Sequence, residues 1–445
     1  MDSFFTKDKQ FYKTLFSLFI VIALQNLVAY SVNMLDNIML GSYSQSALSG
    51  AATVNQIFFL VNQTALAIGN AFVAIASQYW GKRQTEPIRH YVGVAMSFSL
   101  IVAFVILVLC SMIPEQILGL FTTAPEIIEQ GCAYLGLLKW TFVLFMVSNL
   151  LICALRSVEI VKISFAISVV SLITNGIINY TLIFGHFGFP EMGVRGAAVG
   201  TLTSRILELL IVVWYLVKKD EKLRLFDGGI RGILPDRETV WHYACVAAPI
   251  LLSSVVWSIS VPMQTAILGH LSADAIAANS VATTFFQYLK VIVIALSSSS
   301  AVIIGKSIGV GNEERIRSDA RTLSVIDVTT GAVLGLLLSM YNLSDEAMVL
   351  ADHLIIIMSC VMVGMSYQMP VSSGIIQSSG DTKFSMCVNL VSIWCIVMPL
   401  SFCAAFVWKL PVEMVVLAVQ SDQFFKGIPV FLRFRSYKWI HRLTK

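Results

Sequence analysis

The sequence is organised around one stretch, Asn33-Met-Leu-Asp-Asn-Ile-Met-Leu-Gly41. The stretch lies near the end of an apolar run that begins around Thr14, so its acid, Asp36, falls inside a segment of membrane-spanning length. A carboxylate within a membrane helix costs roughly 2.5–3.5 kcal/mol on insertion scales, and it marks a functional site by default. The sequence therefore predicts that Asp36 has a function within the bilayer.

The composition is that of an integral membrane protein. Of the 445 residues, 57% are hydrophobic and only 13% are charged, whereas a soluble chain carries about 25% charged residues. One crossing needs about 20 apolar residues. Twelve apolar segments meet this need, at residues 14–40, 50–80, 91–113, 131–155, 163–184, 197–217, 242–268, 276–304, 322–341, 348–376, 384–408 and 412–432. We therefore predict an all-α membrane protein with twelve spans and no soluble domain.

The polar residues divide the chain and orient it. The longest polar stretch, Lys218–Glu238, separates two groups of six spans. The predicted parts are an N-terminal lobe (1–217), a cytoplasmic linker (218–238) and a C-terminal lobe (239–445). If the N-terminus is cytoplasmic, only Arg195 and Lys409 of the 30 lysines and arginines fall in outer loops. This positive-inside pattern predicts cytoplasmic N- and C-termini in a plasma membrane.

The two halves repeat each other. A constant offset of 228 residues, without gaps, aligns Gly81 with Gly309 and Ile88-Arg89 with Ile316-Arg317. Both halves begin on the cytoplasmic side, so the lobes are expected to be related by a pseudo-twofold axis along the membrane normal. Parallel repeats of this kind are typical of transporters with a substrate site between two lobes.

Six motifs, in this order, resemble those of the multidrug and toxic compound extrusion (MATE) transporters. They are Leu35-Asp-Asn-Ile-Met-Leu-Gly41, Gln78-Tyr-Trp-Gly-Lys82, Asn175 with Asn179, Gly193-Val-Arg-Gly-Ala-Ala198, Gly305-Lys-Ser-Ile-Gly309 and Gly380-Asp-Thr-Lys383. The resemblance covers essentially the whole chain. It implies the MATE fold of two six-helix lobes, alternating access, and export of organic, often cationic compounds in exchange for Na⁺ or H⁺.

Polar residues at similar depths in the N-terminal lobe suggest a coupling site. Asn175 and Asn179 are four residues apart and share one helix face, and Asn55 and Thr201 lie at depths comparable to that of Asp36. Carboxylate, amide and hydroxyl oxygens suit a hard cation; alternatively, a buried carboxyl can carry a proton. The alternative hypothesis is that these groups only form interhelical hydrogen bonds.

The resemblance adds roles to these positions. It implies that Asp36, Asn175, Asn179 and Thr201 form the cation or proton site of the N-terminal lobe, with Asp36, Asn175 and Asn179 as Na⁺ ligands if sodium is the coupling ion. Some relatives have an acid where Asn179 stands, so Asp36 would be the sole titratable group of this pocket.

The C-terminal lobe lacks matching acids. Residues 249–257 and 366–374 contain none, and Gln264 occupies the repeat equivalent of Asp36, so coupling is expected to run through the N-terminal lobe alone. Lys290 stands midway along span eight, where it would repel cationic substrates, accept an anionic group, or pack as a neutral amine against Tyr288. Asp327 is expected to be solvated near the cytoplasmic end of its span.

Aromatic, thioether and polar side chains of spans one, two, seven and eight are the candidates for a substrate cavity. They are Phe58, Phe59, Gln63, Trp257, Met263, Gln264, Phe285, Phe286, Tyr288 and Lys290. Two further intramembrane pairs, Arg205–Glu208 and Asp422–Lys426, have the spacing of local ion pairs.

The sequence also limits the alternatives. No His cluster or Ser–Lys dyad lies at matched depth within the spans, so an intramembrane enzyme is not expected. The second hypothesis is a flippase of the same superfamily for lipid-linked precursors or other amphiphiles. Expected partners are small organic substrates and the lipid bilayer, without nucleic acid or a cofactor, and the chain is expected to act as a monomer.

Overall fold

The computed structural model describes residues 5–227, 234–269, 273–340 and 349–444, so residues 228–233 of the predicted linker lie outside the described residues. Twelve of the described helices are long and apolar enough to cross a membrane. They are α1 (Lys9–Tyr43), α2 (Gln45–Gly81), α3 (Glu86–Met112), α4 (Pro125–Ser157), α5 (Lys162–Phe184), α6 (Val194–Lys218), α7 (Arg237–Gly269), α8 (Ala273–Val310), α9 (Glu313–Ser339), α10 (Val349–Ile376), α11 (Thr382–Val407) and α12 (Val412–Ser436). Each predicted span coincides with one of them, which confirms the all-helical, twelve-span fold.

Several of the helices depart from regular α geometry. Pro249 and Pro262 both lie within α7, and Pro370 opens a π-helical segment that ends α10. Proline lacks the N–H that would continue the helical hydrogen-bond ladder. α1 has no proline and runs unbroken over 35 residues.

The contacts divide the chain into two compact units. The first, called here the C-terminal unit, comprises Met1–Ala23, Val73–Gln84 and Cys245–Lys445. The second, the N-terminal unit, comprises Leu24–Phe72 and Thr85–Ala244. The two lobes predicted from the sequence halves, 1–217 and 239–445 with their linker, stay a prediction.

Glycines fix the hairpin between α5 and α6 in the N-terminal unit. Gly185 ends α5 with a left-handed φ of +70°, and Gly193 precedes α6 with φ +54° and ψ −127°, a combination open essentially to glycine alone. A Cβ on Gly193 would lie 2.7 Å from the ring of Tyr43, and one on Gly196 would lie 2.7 Å from the backbone of Leu182. The Gly193–Ala198 motif therefore sets how closely α6 approaches α5 and α1.

The glycine motifs after α2 and near the end of α8 meet within the C-terminal unit. A Cβ on Gly81 would lie 3.0 Å from the Cα of Gly309, and one on Gly309 would overlap the carbonyl oxygen of Gln78. A Cβ on Gly305 would likewise overlap the Ser77 hydroxyl. These residues, aligned by the repeat, form one close helix crossing that has no room for larger side chains.

Candidate functional site

Asp36 is buried and hydrogen-bonded within the N-terminal unit. Its side chain is 9% exposed, and its Oδ1 accepts a hydrogen bond of 2.5 Å from Nδ2 of Asn179 on α5. Asn179 is fully buried. A buried carboxylate is tolerated where donors replace the lost water, and hydrogen bonds to ionised groups are the stronger ones. The acid on α1 is therefore tied directly to α5.

The hydrogen bonds continue from Asn179 to α6. Nδ2 of Asn179 also lies 3.2 Å from Oδ1 of Asn175, and Nδ2 of Asn175 donates to Oγ1 of Thr201 on α6 at 3.4 Å. The buried side chain of Tyr134 on α4 interacts with Thr201. We call these five residues, from Asp36 to Tyr134, the Asp36 chain. It joins α1, α5, α6 and α4.

The structure thus brings together four of the five residues predicted for the coupling site. The fifth, Asn55 on α2, is half-buried, and no hydrogen bond between described residues joins it to the Asp36 chain. Comparable depth along a helix does not bring a residue into contact with a site when it lies on another face.

Two residues of the site were missed by the sequence reasoning. Tyr134 provides the α4 end of the chain, and Gly200 on α6 provides the space for Asn179, since a Cβ on Gly200 would overlap Oδ1 of Asn179. Neither residue carries a charge that would draw attention in an apolar span. The available signals were that Gly200 directly precedes Thr201 and that Tyr134 places a hydroxyl within span four.

The nearest cation to the site is already compensated. Arg205 acts electrostatically on Asp36, but its Nη1 lies 2.7 Å from Oε2 of Glu208. Glu208 also accepts a hydrogen bond of 2.8 Å from Ser148, and the Arg205 guanidinium lies over the Phe145 ring at 4.9 Å. The predicted i, i+3 pair is confirmed. Because Glu208 balances Arg205, this cation does not serve Asp36 as a direct ion-pair partner.

The donor set of the site fits a small hard ion or a proton. Oδ1 of Asn179 is buried and accepts no hydrogen bond from a described residue, and it belongs to the amide whose Nδ2 donates to Asp36. One carboxylate, an amide oxygen and a hydroxyl are hard oxygen ligands. Among the described residues, no group of three or more His, Cys, Asp or Glu side chains could hold a metal ion.

Lys290 lies near an aromatic ring of the neighbouring helix. Its Nζ lies 5.7 Å from the ring centroid of Trp257 on α7, and packing of the amine against Tyr288 stays a prediction. Lys290 also interacts electrostatically with Asp422 and Lys426 of α12. Those two residues form a buried ion pair of 2.9 Å, which confirms the predicted i, i+4 contact.

The substrate-cavity candidates occupy varied positions. On α2, Phe58 packs against Phe142 and Phe145 with ring centroids 6.2 and 5.3 Å apart. In the C-terminal unit, Phe286 is 6% exposed and belongs to the hydrophobic core, with Trp257 and Phe285 packed against that core. The remaining candidates are half-buried or exposed: Phe59, Gln63, Met263, Gln264, Tyr288 and Lys290. Their assignment to a cavity stays a prediction.

The expectation for Asp327 is wrong. Asp327 lies midway along the 27-residue helix α9, and its side chain is fully buried instead of solvated. The helix begins at Glu313, about two and a half turns before the apolar segment that had been assigned to the span. Those turns carry Arg315, Arg317 and Arg321, which made the beginning of the helix resemble a loop.

The comparisons with known proteins agree with this fold. The MatE family model matches residues 22–181 and 249–403. The chain belongs to the MatE family, whose members are multi-pass membrane transporters and not enzymes. This confirms the resemblance read from the six motifs.

The relatives are distant and cover nearly the whole chain. The protein is 24% identical over 409 residues to YoeA, a probable multidrug resistance protein of Bacillus subtilis (strain 168), with 89% of this chain and 88% of that protein covered. It is 24% identical over 428 residues to NorM, a probable multidrug resistance protein of Thermotoga maritima, with 94% and 91% covered.

Solved structures share the fold at low identity. A multidrug resistance MATE family transporter of the MOP superfamily, solved in an outward-facing conformation, matches with a TM-score of 0.86, 18% identity and 99% of both chains covered. A MOP superfamily transporter from Pyrococcus furiosus, described as having a binding pocket of reverse polarity, matches with a TM-score of 0.84 and 18% identity over 97% of this chain and 98% of that one.

Proposed function

We propose that this protein is a secondary antiporter that exports organic compounds in exchange for Na⁺ or H⁺ by alternating access, coupled through Asp36. The observation that carries the proposal is the Asp36 chain, in which one buried acid accepts a hydrogen bond from Asn179 of α5, and Asn179 is linked through Asn175 to Thr201 of α6. The names of the relatives, which include multidrug resistance proteins, support export of drug-like compounds.

The hydrogen bonds suggest how occupancy of Asp36 changes the helix packing. Asn179 uses one amino group to donate to both Asp36 and Asn175. A proton or Na⁺ on Asp36 competes for the oxygen that now accepts from Asn179. The amide must then shift its donor, and Asn175 and Thr201 must follow, so ion binding on α1 alters the contacts of α5 and α6.

The energy needed sets a minimum for the driving force. Inverting a 1:99 equilibrium between two arrangements takes about 5.5 kcal/mol of differential binding. One charge that moves down 100 mV supplies about 2.3 kcal/mol. A concentration gradient, or more than one ion per cycle, is therefore required in addition to the voltage.

The remaining features of the proposal are the location and the state of the chain. The distribution of lysine and arginine supports a plasma membrane orientation with both termini cytoplasmic, and we propose that the chain acts as a monomer on small organic substrates. Labelling of single cysteines introduced near the two termini with a membrane-impermeant reagent in intact cells tests the orientation. Labelling without permeabilisation would contradict it.

The coupling role is tested by dye transport in proteoliposomes under separate Na⁺ and H⁺ gradients. Asp36→Asn should abolish gradient-driven transport, because a neutral amide binds neither ion. The matched control is the swap Asp36→Asn/Asn37→Asp, which keeps the composition and net charge but moves the acid to an exposed position of α1. If the site is required, the swap is as inactive as the single variant. Full gradient-driven transport by Asp36→Asn would refute the assignment.

A further inference from the structure

Among the residues that the structure describes, Asp327 is a buried acid without a compensating group. Both carboxylate oxygens are buried, and neither has a hydrogen-bond partner among the described residues. Asp36 accepts from Asn179, Asp422 is paired with Lys426, and Asp319, eight residues earlier on α9, accepts a hydrogen bond of 2.7 Å from Ser307 and lies 3.7 Å from Arg315.

A seam of small residues between α9 and α10 explains why Asp327 is shielded from solvent. Gly331 and Gly335 follow Asp327 by one and two turns on the same helix face. A Cβ on Gly331 would overlap the side chain of Ser366 on α10, and one on Gly335 would lie 2.9 Å from the carbonyl oxygen of Ser359. Both contacts are within the C-terminal unit. The helices therefore touch along the face that carries the acid.

The polar groups that α10 brings to this region are hydroxyls. Ser366 is fully buried with its Oγ unpartnered, and the hydroxyl of Tyr367 is buried and unpartnered as well. Asp327 acts electrostatically on Tyr367, so the phenol lies close enough to the carboxyl for an electrostatic interaction. α8 also packs against α9 and carries Lys290 and Lys306, but neither is among the groups that act on Asp327.

The protonation state follows from these surroundings. An ionised carboxylate in a low-dielectric interior is stable only with a counter-ion or several donors, and a buried group lacking them is neutralised instead. Among the described residues, the Asp327 carboxyl has no hydrogen-bond donor. A neutral carboxyl fits such surroundings, since it carries no charge that needs a counter-ion.

We propose that Asp327 is a proton-binding carboxyl of the C-terminal unit, neutral and closed off from solvent in this conformation, which exchanges its proton when the seam of α9 and α10 opens. The site is separate from the proposed coupling at Asp36. It lies on a different helix in the other unit, and it differs in its lack of amide donors.

Infrared difference spectroscopy of the purified protein in lipid nanodiscs tests the assignment. A protonated carboxyl gives a C=O stretch separate from the carboxylate bands. In an Asp36→Asn background, which removes the other candidate, neutral pH should leave one protonated-carboxyl band. Asp327→Asn should remove that band, and the control Asp319→Asn, a buried but compensated acid of the same helix, should leave it unchanged. Asparagine is close in shape to a protonated aspartate, and Asp327→Ala serves as a second variant should the first fail to fold.

Three results would overturn the proposal. They are absence of the band in the Asp36→Asn background, its persistence in both Asp327 variants, and its loss on addition of Na⁺ at constant pH. The last result would mean that the carboxyl binds sodium. The band should also shift slowly in D₂O, because the closed seam limits exchange, and an immediate complete shift would contradict the closed state. Failure of Asp36→Asn to affect transport would refute only the function proposed above, since the infrared assignment does not depend on transport.

Discussion

Gly200→Ala provides the most specific test of the geometry of the coupling site. The added methyl group would overlap Oδ1 of Asn179, and Nδ2 of the same amide donates to Asp36 and Asn175. Asn179 is fully buried and cannot swing into solvent. Either the strain stays, or Asn179 rotates and its hydrogen bond to Asp36 is lost. The substitution therefore reaches Asp36 without changing any polar group.

The magnitude follows from these two outcomes. Overpacking a tight interior costs typically 1–3 kcal/mol, and loss of a hydrogen bond to an ionised group costs about 1.5–3 kcal/mol. Since about 1.4 kcal/mol corresponds to a tenfold change in affinity, we expect the apparent affinity for the coupling ion to fall by roughly tenfold to a hundredfold.

The assay is dye transport in proteoliposomes as a function of the driving-ion concentration, together with thermal unfolding in detergent. The matched control is Gly136→Ala on α4, where a Cβ would meet nothing within 4 Å. This control should transport like the parent protein and be slightly more stable, because alanine favours helix by roughly 0.5–1 kcal/mol over glycine.

A double variant separates the proposed cause from general damage. If Gly200 acts through Asn179, adding Gly200→Ala to Asn179→Ala should cause no further loss, because contacting residues are not additive. The reasoning is refuted if Gly200→Ala folds with an unchanged ion dependence, or if its effect is fully additive to that of Asn179→Ala.

Three further predictions concern other contacts. Tyr134→Phe removes the hydroxyl that interacts with Thr201. A loss of about 1 kcal/mol should weaken the apparent affinity for the coupling ion about fivefold in the same assay, and an unchanged affinity would exclude Tyr134 from the site. Lys290→Met removes the amine near Trp257 and should raise transport of cationic dyes relative to anionic dyes. The ratio of the two transport rates is measured within one preparation, and an unchanged ratio would mean that Lys290 does not act on substrate. Gly309→Ala forces a Cβ onto the carbonyl of Gln78. It should lower the thermal unfolding midpoint by several degrees, because overpacking costs about 1–3 kcal/mol. Stability equal to that of the parent protein would contradict the close helix crossing.

The spans and much of the coupling site could be predicted because strong local signals encode them. Runs of apolar residues of crossing length define the helices, and an acid within such a run stands out by charge alone. Asn175 and Asn179 could be placed on one face because their spacing is a helical turn. These predictions needed no knowledge of how the helices pack.

What the sequence could not provide are the contacts between helices. Gly200 matters because Asn179 of another helix occupies the space beside it, and no feature of α6 alone indicates this. Asn55 shows the converse. Its depth was judged suitable, but no hydrogen bond between described residues joins it to the Asp36 chain. Phe286 likewise could not be separated from its neighbour Phe285 by composition, although one lies in the core and the other only packs against it.

Asp327 was misjudged for a different physical reason. Hydropathy marks the first charged turns of a long helix as loop, because it does not register that a helix can continue beyond its apolar segment. α9 begins at Glu313, so the acid expected near the end of the span stands in the middle of the helix. The prediction that coupling uses the N-terminal lobe alone depended on Gln264 and on the lack of acids in residues 249–257 and 366–374, and it stays a prediction.

Asp36 and Asp327 are not repeat partners, and this affects how their roles can combine. The offset that aligns the halves pairs Asp36 with Gln264 and Asp327 with Ser99, so neither half contains a second copy of the other's acid. Asp36 is held by an amide, whereas Asp327 has no protein donor among the described residues. Groups in such different surroundings should release their protons under different conditions. In the dye-transport assay, Asp36→Asn should therefore abolish gradient-driven transport, whereas Asp327→Asn should change how transport depends on pH, since neither carboxyl can substitute for the other.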